Sequence, residues 1–272
     1  MDVLEKISEL ETSEQLQTYF FIAAFIFMIF SVIGWVIELF FRRFVSTKRW
    51  INPGLLKGPY LPIYGIGVLF LTGYTFILLI FQDAFPSRAL FDATVIVGIG
   101  LIMTAIELIG GLIFIKGMKI KLWDYSDRPL NFMGIICPEF SLIWTALGAA
   151  FYYLLFDPIV SLTVSFVSIS WFTLAVFLMG IFYGVFLIDL IQSLEIAKKI
   201  KKMAVNSGYI VKWEAFKIHV RDRLNAIKKK SVFMSPFKTS IPLSEQFKSF
   251  TDAHKKNKPD KEKNPDDNKE ND

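Results

Sequence analysis

Residues 18–41 read TYFFIAAFIFMIFSVIGWVIELFF and stop at Arg42 and Arg43. As an α-helix this run is about 36 Å long, enough to cross a hydrocarbon core of about 30 Å. Its one charge is Glu38, close to the basic end. Three further runs share this character, at 61–81, 90–115 and 132–156, and a fifth ends at 191 before the lysines from Lys198 onward. The stretch 159–191 is too long for one span. Its first third carries Ser161, Thr163, Ser165, Ser168 and Ser170, so it reads as interfacial or partly re-entrant, with the span starting near Ile169. The expected fold is therefore all-α and polytopic, with five transmembrane helices. Composition agrees: 53% of residues are hydrophobic, 20% are charged, and mean hydropathy is +0.46. A soluble domain carries more charge. The lone Cys137 excludes an intramolecular disulfide.

Charge orients the bundle. Of the 30 Lys and Arg residues, 28 fall in the first loop, the third loop and the C-terminal tail; only Lys6 and Arg88 fall on the other side. Basic residues collect on the cytoplasmic side, so the N-terminus is expected outside and the C-terminus inside. The chain then divides into an acidic outer segment (1–17, with a weak amphipathic helical stripe), a membrane domain (18–191), a basic helical tail (192–251) and a disordered C-terminus (252–272). Asn206-Ser-Gly208 reads as a helix stop. Beyond it, 212–230 reads as a basic amphipathic helix with Trp213, Phe216, Val220, Leu224 and Ile227 on one face. Such a helix suits an anionic lipid surface; docking of a partner protein is the alternative. No nucleic-acid-binding motif accompanies the charge, so no nucleic acid is expected.

Ionisable groups inside spans are costly and point to function. Glu38, Glu107 and Glu139 are the candidates to line a cytoplasm-facing cavity, with Asn52, Tyr64, Asp124, Tyr125 and Asn131 at its mouth. Glu38 also has Arg42 four residues on, the spacing of a helical ion pair, and Asp189 reads as facing the bundle or reaching towards Lys198. Gly180 and Gly184 form a G-x-x-x-G, a close helix contact within the chain or between two copies. His219, His254 and Cys137 lack company for a metal site, and no cofactor is expected. The first and third spans share Ile-Glu-Leu (37–39 and 106–108), each followed by a basic loop, an Asn and a Gly (Asn52, Gly54; Asn131, Gly134), and an Ile-aromatic pair (Ile63-Tyr64; Ile143-Trp144). This suggests a parallel repeat of a two-helix hairpin.

Three strings carry a family resemblance: Gly34-Trp35-Val-Ile-Glu38; 52–67, containing Gly58-Pro59-Tyr-Leu-Pro62-Ile-Tyr64-Gly65; and Trp123-Asp-Tyr-Ser126 through Asn131 and Gly134 to Cys137. Over 30–156 the chain resembles the putative ABC-transporter type IV (CmpB-like permease) family. The resemblance implies a membrane subunit of an ATP-driven transporter. No P-loop is present in this chain, so the ATPase would be a separate subunit docking on the two ordered loops. Five spans are few for a pathway, which implies a homo- or hetero-oligomer in the bilayer of the cell membrane. An acidic cavity would favour a cation or an amine. Two alternatives stay open: an interface enzyme acting on a lipid or lipid-linked substrate, although no catalytic constellation is visible, and an assembly or regulatory protein.

Overall fold

A computed structural model describes residues 12–167, 172–226 and 241–256. The rest of the acidic N-terminal segment, residues 168–171 of the serine-rich stretch, Ile227 with the end of the basic helix, and the C-terminus from 257 lie outside the described residues. Among the described residues, five helices are long and apolar enough to cross a membrane: Gln15–Ser46, Pro62–Ile80, Arg88–Met118, Pro138–Ser161 and Thr173–Ser207. They are built from α1 (Thr12–Phe41), α2 (Pro62–Ile80), α3 (Arg88–Leu112), α4 (Pro138–Ala150), α5 (Phe156–Val167) and α6 (Phe172–Ser207). The chain divides into two compact units at Glu214.

Two boundaries differ from the sequence reading, each for a local reason. The fourth span begins at Pro138, not 132. Proline favours the first helical position, and the preceding residues turn back on themselves through a bridge between Phe132 and Ile136. The helix also does not end at Asp157-Pro158. A π turn at Phe151–Leu155 precedes Pro158 and α5 follows directly; widening the backbone ahead of a proline accommodates its ring and missing N–H. The serine-rich stretch is therefore helical through Val167. The fifth helix, described from Phe172, runs past the lysines to Ser207, and Gly208 with φ 62° ends it at the expected Asn206-Ser-Gly208 stop.

The stripes facing the core explain how the site residues are aimed. On α3 the buried positions are Phe91, Val95, Ile99, Met103, Glu107 and Gly111, spaced every four residues. Glu107 thus continues the stripe that carries the core. On α1 the same spacing gives the buried Ile22, Ile26, Phe30 and Gly34 and the half-buried Glu38, and it continues to the buried Arg42 just past the helix. Residues i and i+4 lie on one helix face, so both glutamates inherit the orientation of the apolar residues before them. The core joins these stripes to Leu71 of α2 and to Phe151, Tyr152, Phe156 and Val160. Large apolar side chains on the other faces, such as Phe70, Leu101 and Phe177, are exposed, as lipid-facing positions must be.

At one end of the bundle the two basic loops and the segment after α6 come together. Both α1 and α3 finish in a π turn, Arg42–Ser46 and Ile113–Met118, and each is followed by a lysine with positive φ (Lys48 55°, Lys119 57°). Strand β1 (Ile120–Lys121) then pairs in parallel with β2 (Val211–Lys212). The opposite end is held by Arg88, which pairs with Asp92 at 3.0 Å, while Tyr152 donates to the same carboxylate at 2.9 Å.

Helix α7 (Trp213–Ala226) carries its first two residues in the first unit; the remainder, with α8 (Leu243–Lys256), forms the second. In the second unit Phe216 packs on Phe250 and Phe247 with ring centroids 5.1 and 6.1 Å apart. Phe216, Val220, Leu224 and Phe250 are all buried. The apolar face of the basic helix is thus met by α8 and is not left open to a bilayer. Helix α8 runs to Lys256, a few residues past 252.

Candidate functional site

Glu107 is 4% exposed. Its Oε1 accepts a hydrogen bond from the Tyr125 hydroxyl at 2.9 Å. Its Oε2 is buried without a hydrogen-bond partner, as is the indole N–H of Trp144, and the two side chains lie close enough to interact. Trp144 packs edge-on against Tyr64 at 5.2 Å. The Tyr64 hydroxyl donates to Glu38 Oε2 at 3.3 Å, and Arg42 donates to Glu38 Oε1 at 2.9 Å. The charges of Glu38 and Glu107 interact with each other and with Tyr125. Behind Tyr125, Phe140 stacks at 4.2 Å and 9°.

The result is one group drawn from α1, α2, α3, α4 and the third loop: Glu107, which is buried, with Glu38, Tyr64, Tyr125 and Trp144, which are half-buried. Burial, and next the Glu107 carboxylate, push the Tyr125 phenol up from its ordinary range, so it stays a donor. Close helix approach makes the group possible. A Cβ on Gly34 would collide with the Tyr64 ring, and one on Gly65 would collide with Ser31. Arg42 is itself 6% exposed and also binds Glu214 at the start of α7.

Other residues singled out from sequence have different surroundings. Asn52 is 4% exposed and organises the first loop: it accepts from the Trp35 indole at 2.6 Å and donates to the Leu56 and Lys57 carbonyls. Asn131 does the same in the third loop, donating to Ser126 and Arg128 and accepting from the Gly134 amide. Asp124 accepts from Lys121 at 2.5 Å and from Lys212 at 2.7 Å, tying β1 to β2. Burial would raise its carboxyl, but hydrogen bonds from Lys121, Lys212 and Ser126 outweigh it and hold the group well below the usual carboxylate range. Asp124 raises Lys212 in turn. Trp123 donates to the Ile135 carbonyl at 2.8 Å. Gly134, at φ 64°, leaves the space that Lys121 and Ser126 occupy. Glu139 is half-exposed and pairs with Arg128 at 3.1 Å. Around Gly180 and Gly184 nothing described comes within 4 Å of an added Cβ, so no close helix contact forms there within the described chain.

Asp189 is the site residue that sequence reasoning left without a role. It is 8% exposed and accepts from the backbone N–H of Lys57 (2.9 Å) and Gly58 (2.8 Å), the Tyr60 hydroxyl (2.8 Å) and Ser193 (3.0 Å). The string Gly58-Pro59-Tyr60 is therefore the cradle of a carboxylate from α6. Gly58 is needed because a side chain there would strike the Tyr60 ring. Burial, then Asp189, raise the Tyr60 phenol, which keeps it a donor. An acid in an apolar span was the available signal; its partners, some 130 residues away in sequence, left none.

A separate apolar cavity of about 530 Å³ opens among α1, α2 and α6, lined by Phe21, Ala24, Phe27, Leu69, Met179 and Tyr183. Neither Glu38 nor Glu107 lines it. Among the described residues no cluster of His, Cys, Asp and Glu is arranged to hold a metal ion.

The model of a family described as "Putative ABC-transporter type IV" matches residues 25–194, more than half of the chain. Neither curated proteins nor solved structures gave a significant match.

Proposed function

This chain belongs to the putative ABC-transporter type IV family, and on that premise we propose that it is the permease-like membrane subunit of a transporter whose ATPase is a separate polypeptide. It is a multi-pass, transport-related membrane protein. The substrate site is the group around the half-buried Glu38 and the buried Glu107, reached from the cytoplasm, and the substrate is a small cation or an amine. One observation carries the reading. Two glutamates, one from each of the first two hairpins, are held together in an aromatic setting, and the described contacts set only Arg42 against them. A buried carboxylate without a cation is costly. A positively charged ligand would offset that cost, and aromatic faces favour it further.

The sorting of 28 basic residues to one side supports the cytoplasmic membrane, with the C-terminus inside. The matching stripes on α1 and α3, the matched π turns and the positive-φ lysines after them support reading the two hairpins as a parallel repeat. The test is uptake of methylammonium and tetramethylammonium into cells or proteoliposomes containing the protein and whatever ATPase co-purifies with it. Glu107→Gln is expected to abolish uptake at normal expression. Wild-type uptake by that variant removes the assignment.

A further inference from the structure

The acidic group does not end at the membrane helices. Arg42 gives one guanidinium nitrogen to Glu38 and another to Glu214. Its Nε and the second oxygen of Glu214 are both buried without a hydrogen-bond partner. One arginine is therefore shared by two carboxylates, and the first of these couples to Glu107 through charge and through Tyr64. Glu214 stands in a short segment fixed at three other points. Val211 donates from its backbone N–H to the Lys119 carbonyl at 2.9 Å, Lys212 pairs with Asp124, and the Trp213 indole donates to the Gly54 carbonyl at 2.7 Å. The segment touches both basic loops and supplies a charge to the site between them.

We propose that Glu214 is a positioning residue for the cation site. By drawing on Arg42 it leaves Glu38 less than fully neutralised, so the segment 211–214 sets how strongly the Glu38–Glu107 site attracts a cation. This inference rests on the reading of that site given above. With Glu214 neutral, the whole guanidinium charge falls on Glu38 and the site loses one nearby negative charge. At the effective dielectric of a partly buried site, a unit charge this close changes cation affinity on the order of tenfold. Coupling is reciprocal: a bound cation must steady the contact between Arg42 and Glu214 by the same factor.

The test measures methylammonium binding to the purified full-length protein by isothermal titration calorimetry. Glu214→Gln is expected to bind about tenfold more weakly, and Glu214→Asp to stay near wild type. Trp213→Phe removes a hydrogen bond from the same segment without touching its charge, and should leave affinity unchanged. A purely structural role would weaken Glu214→Gln and Trp213→Phe alike. In wild type, methylammonium should also slow amide exchange over 211–214. Equal affinity of wild type and Glu214→Gln overturns the proposal while sparing the cation site. Equal loss in Glu214→Gln and Trp213→Phe overturns it as well. If wild type binds neither methylammonium nor tetramethylammonium, both the site and the proposal fall.

Discussion

Replacing Asp189 by alanine tests the way the first loop is held. The carboxylate is 8% exposed and receives hydrogen bonds from two backbone amides and two hydroxyls. Serine and tyrosine hydroxyls can turn to other acceptors or water; the Lys57 and Gly58 amides, fixed by the turn, cannot. Leaving a buried donor unsatisfied costs about 1–3 kcal/mol. Lys57 and Gly58 are only half-buried, so the lower part of that range applies to each, for a total of about 3 kcal/mol. Local opening of the loop then becomes easier by roughly two orders of magnitude. Hydrogen–deuterium exchange in detergent micelles reads this directly: amides in 56–60 should exchange about 100-fold faster, with α3 and α4 unchanged. Asp189→Asn, which keeps one acceptor oxygen, should fall between alanine and wild type. Unchanged exchange over 56–60 in a folded Asp189→Ala protein would refute the reasoning, because it would mean that the loop holds its shape without the carboxylate.

Two further outcomes follow from the geometry. The pair of Asp124 and Lys212 ties β1 to β2, with the acid held below its ordinary range and the base above. The acid contributes stability that is present above the usual aspartate value of about 4 and is lost as pH falls through its lower folded value. The lysine contributes stability that is present below about 10.4 and is lost as pH rises through its higher folded value. Thermal unfolding should be level between those limits, and Asp124→Asn should flatten the acid arm; an unchanged acid arm in that variant would count against the pair. Gly34→Ala puts a methyl into the Tyr64 ring near its root, where the side chain cannot swing aside. It should cost about 1–3 kcal/mol, seen as a lower melting temperature, and an unshifted melting temperature would show that α1 and α2 can separate freely.

The spans were legible because an apolar run of this length has one stable solution in a bilayer. Glu38 and Glu107 were legible for the same reason, since a charge inside such a run has to be explained. The four-residue spacing from Phe91 to Gly111 and from Ile22 to Arg42 gives the physical cause of the way the two side chains are aimed. What stayed hidden lies at long range. The bond from Arg42 to Glu214 crosses 172 residues, and that from Lys57 to Asp189 crosses 132; no periodicity records either. Asn52 and Asn131 read as mouth residues because they are polar and near spans, whereas their amides are spent on carbonyls of their own loops. The helix through Pro158 escaped notice because a π turn leaves no compositional mark. Helix α8 escaped because its apolar face is small and built on Phe247 and Phe250.

The Asp189 cradle also decides where this protein tolerates added chain. Residues 52–60 look like a generous loop of glycine and proline, a usual place for an epitope or a fluorescent label. Their backbone is instead committed to a carboxylate on a helix far along the sequence, so an insertion there would displace α6 as well as the loop. In the turn at Gln82–Ala84, Asp83 and Ala84 are exposed. Insertion tolerance follows backbone burial and hydrogen bonding rather than composition. A label belongs at 83–84, ahead of Phe85, which packs on Phe91, and of Ser87, which caps α3.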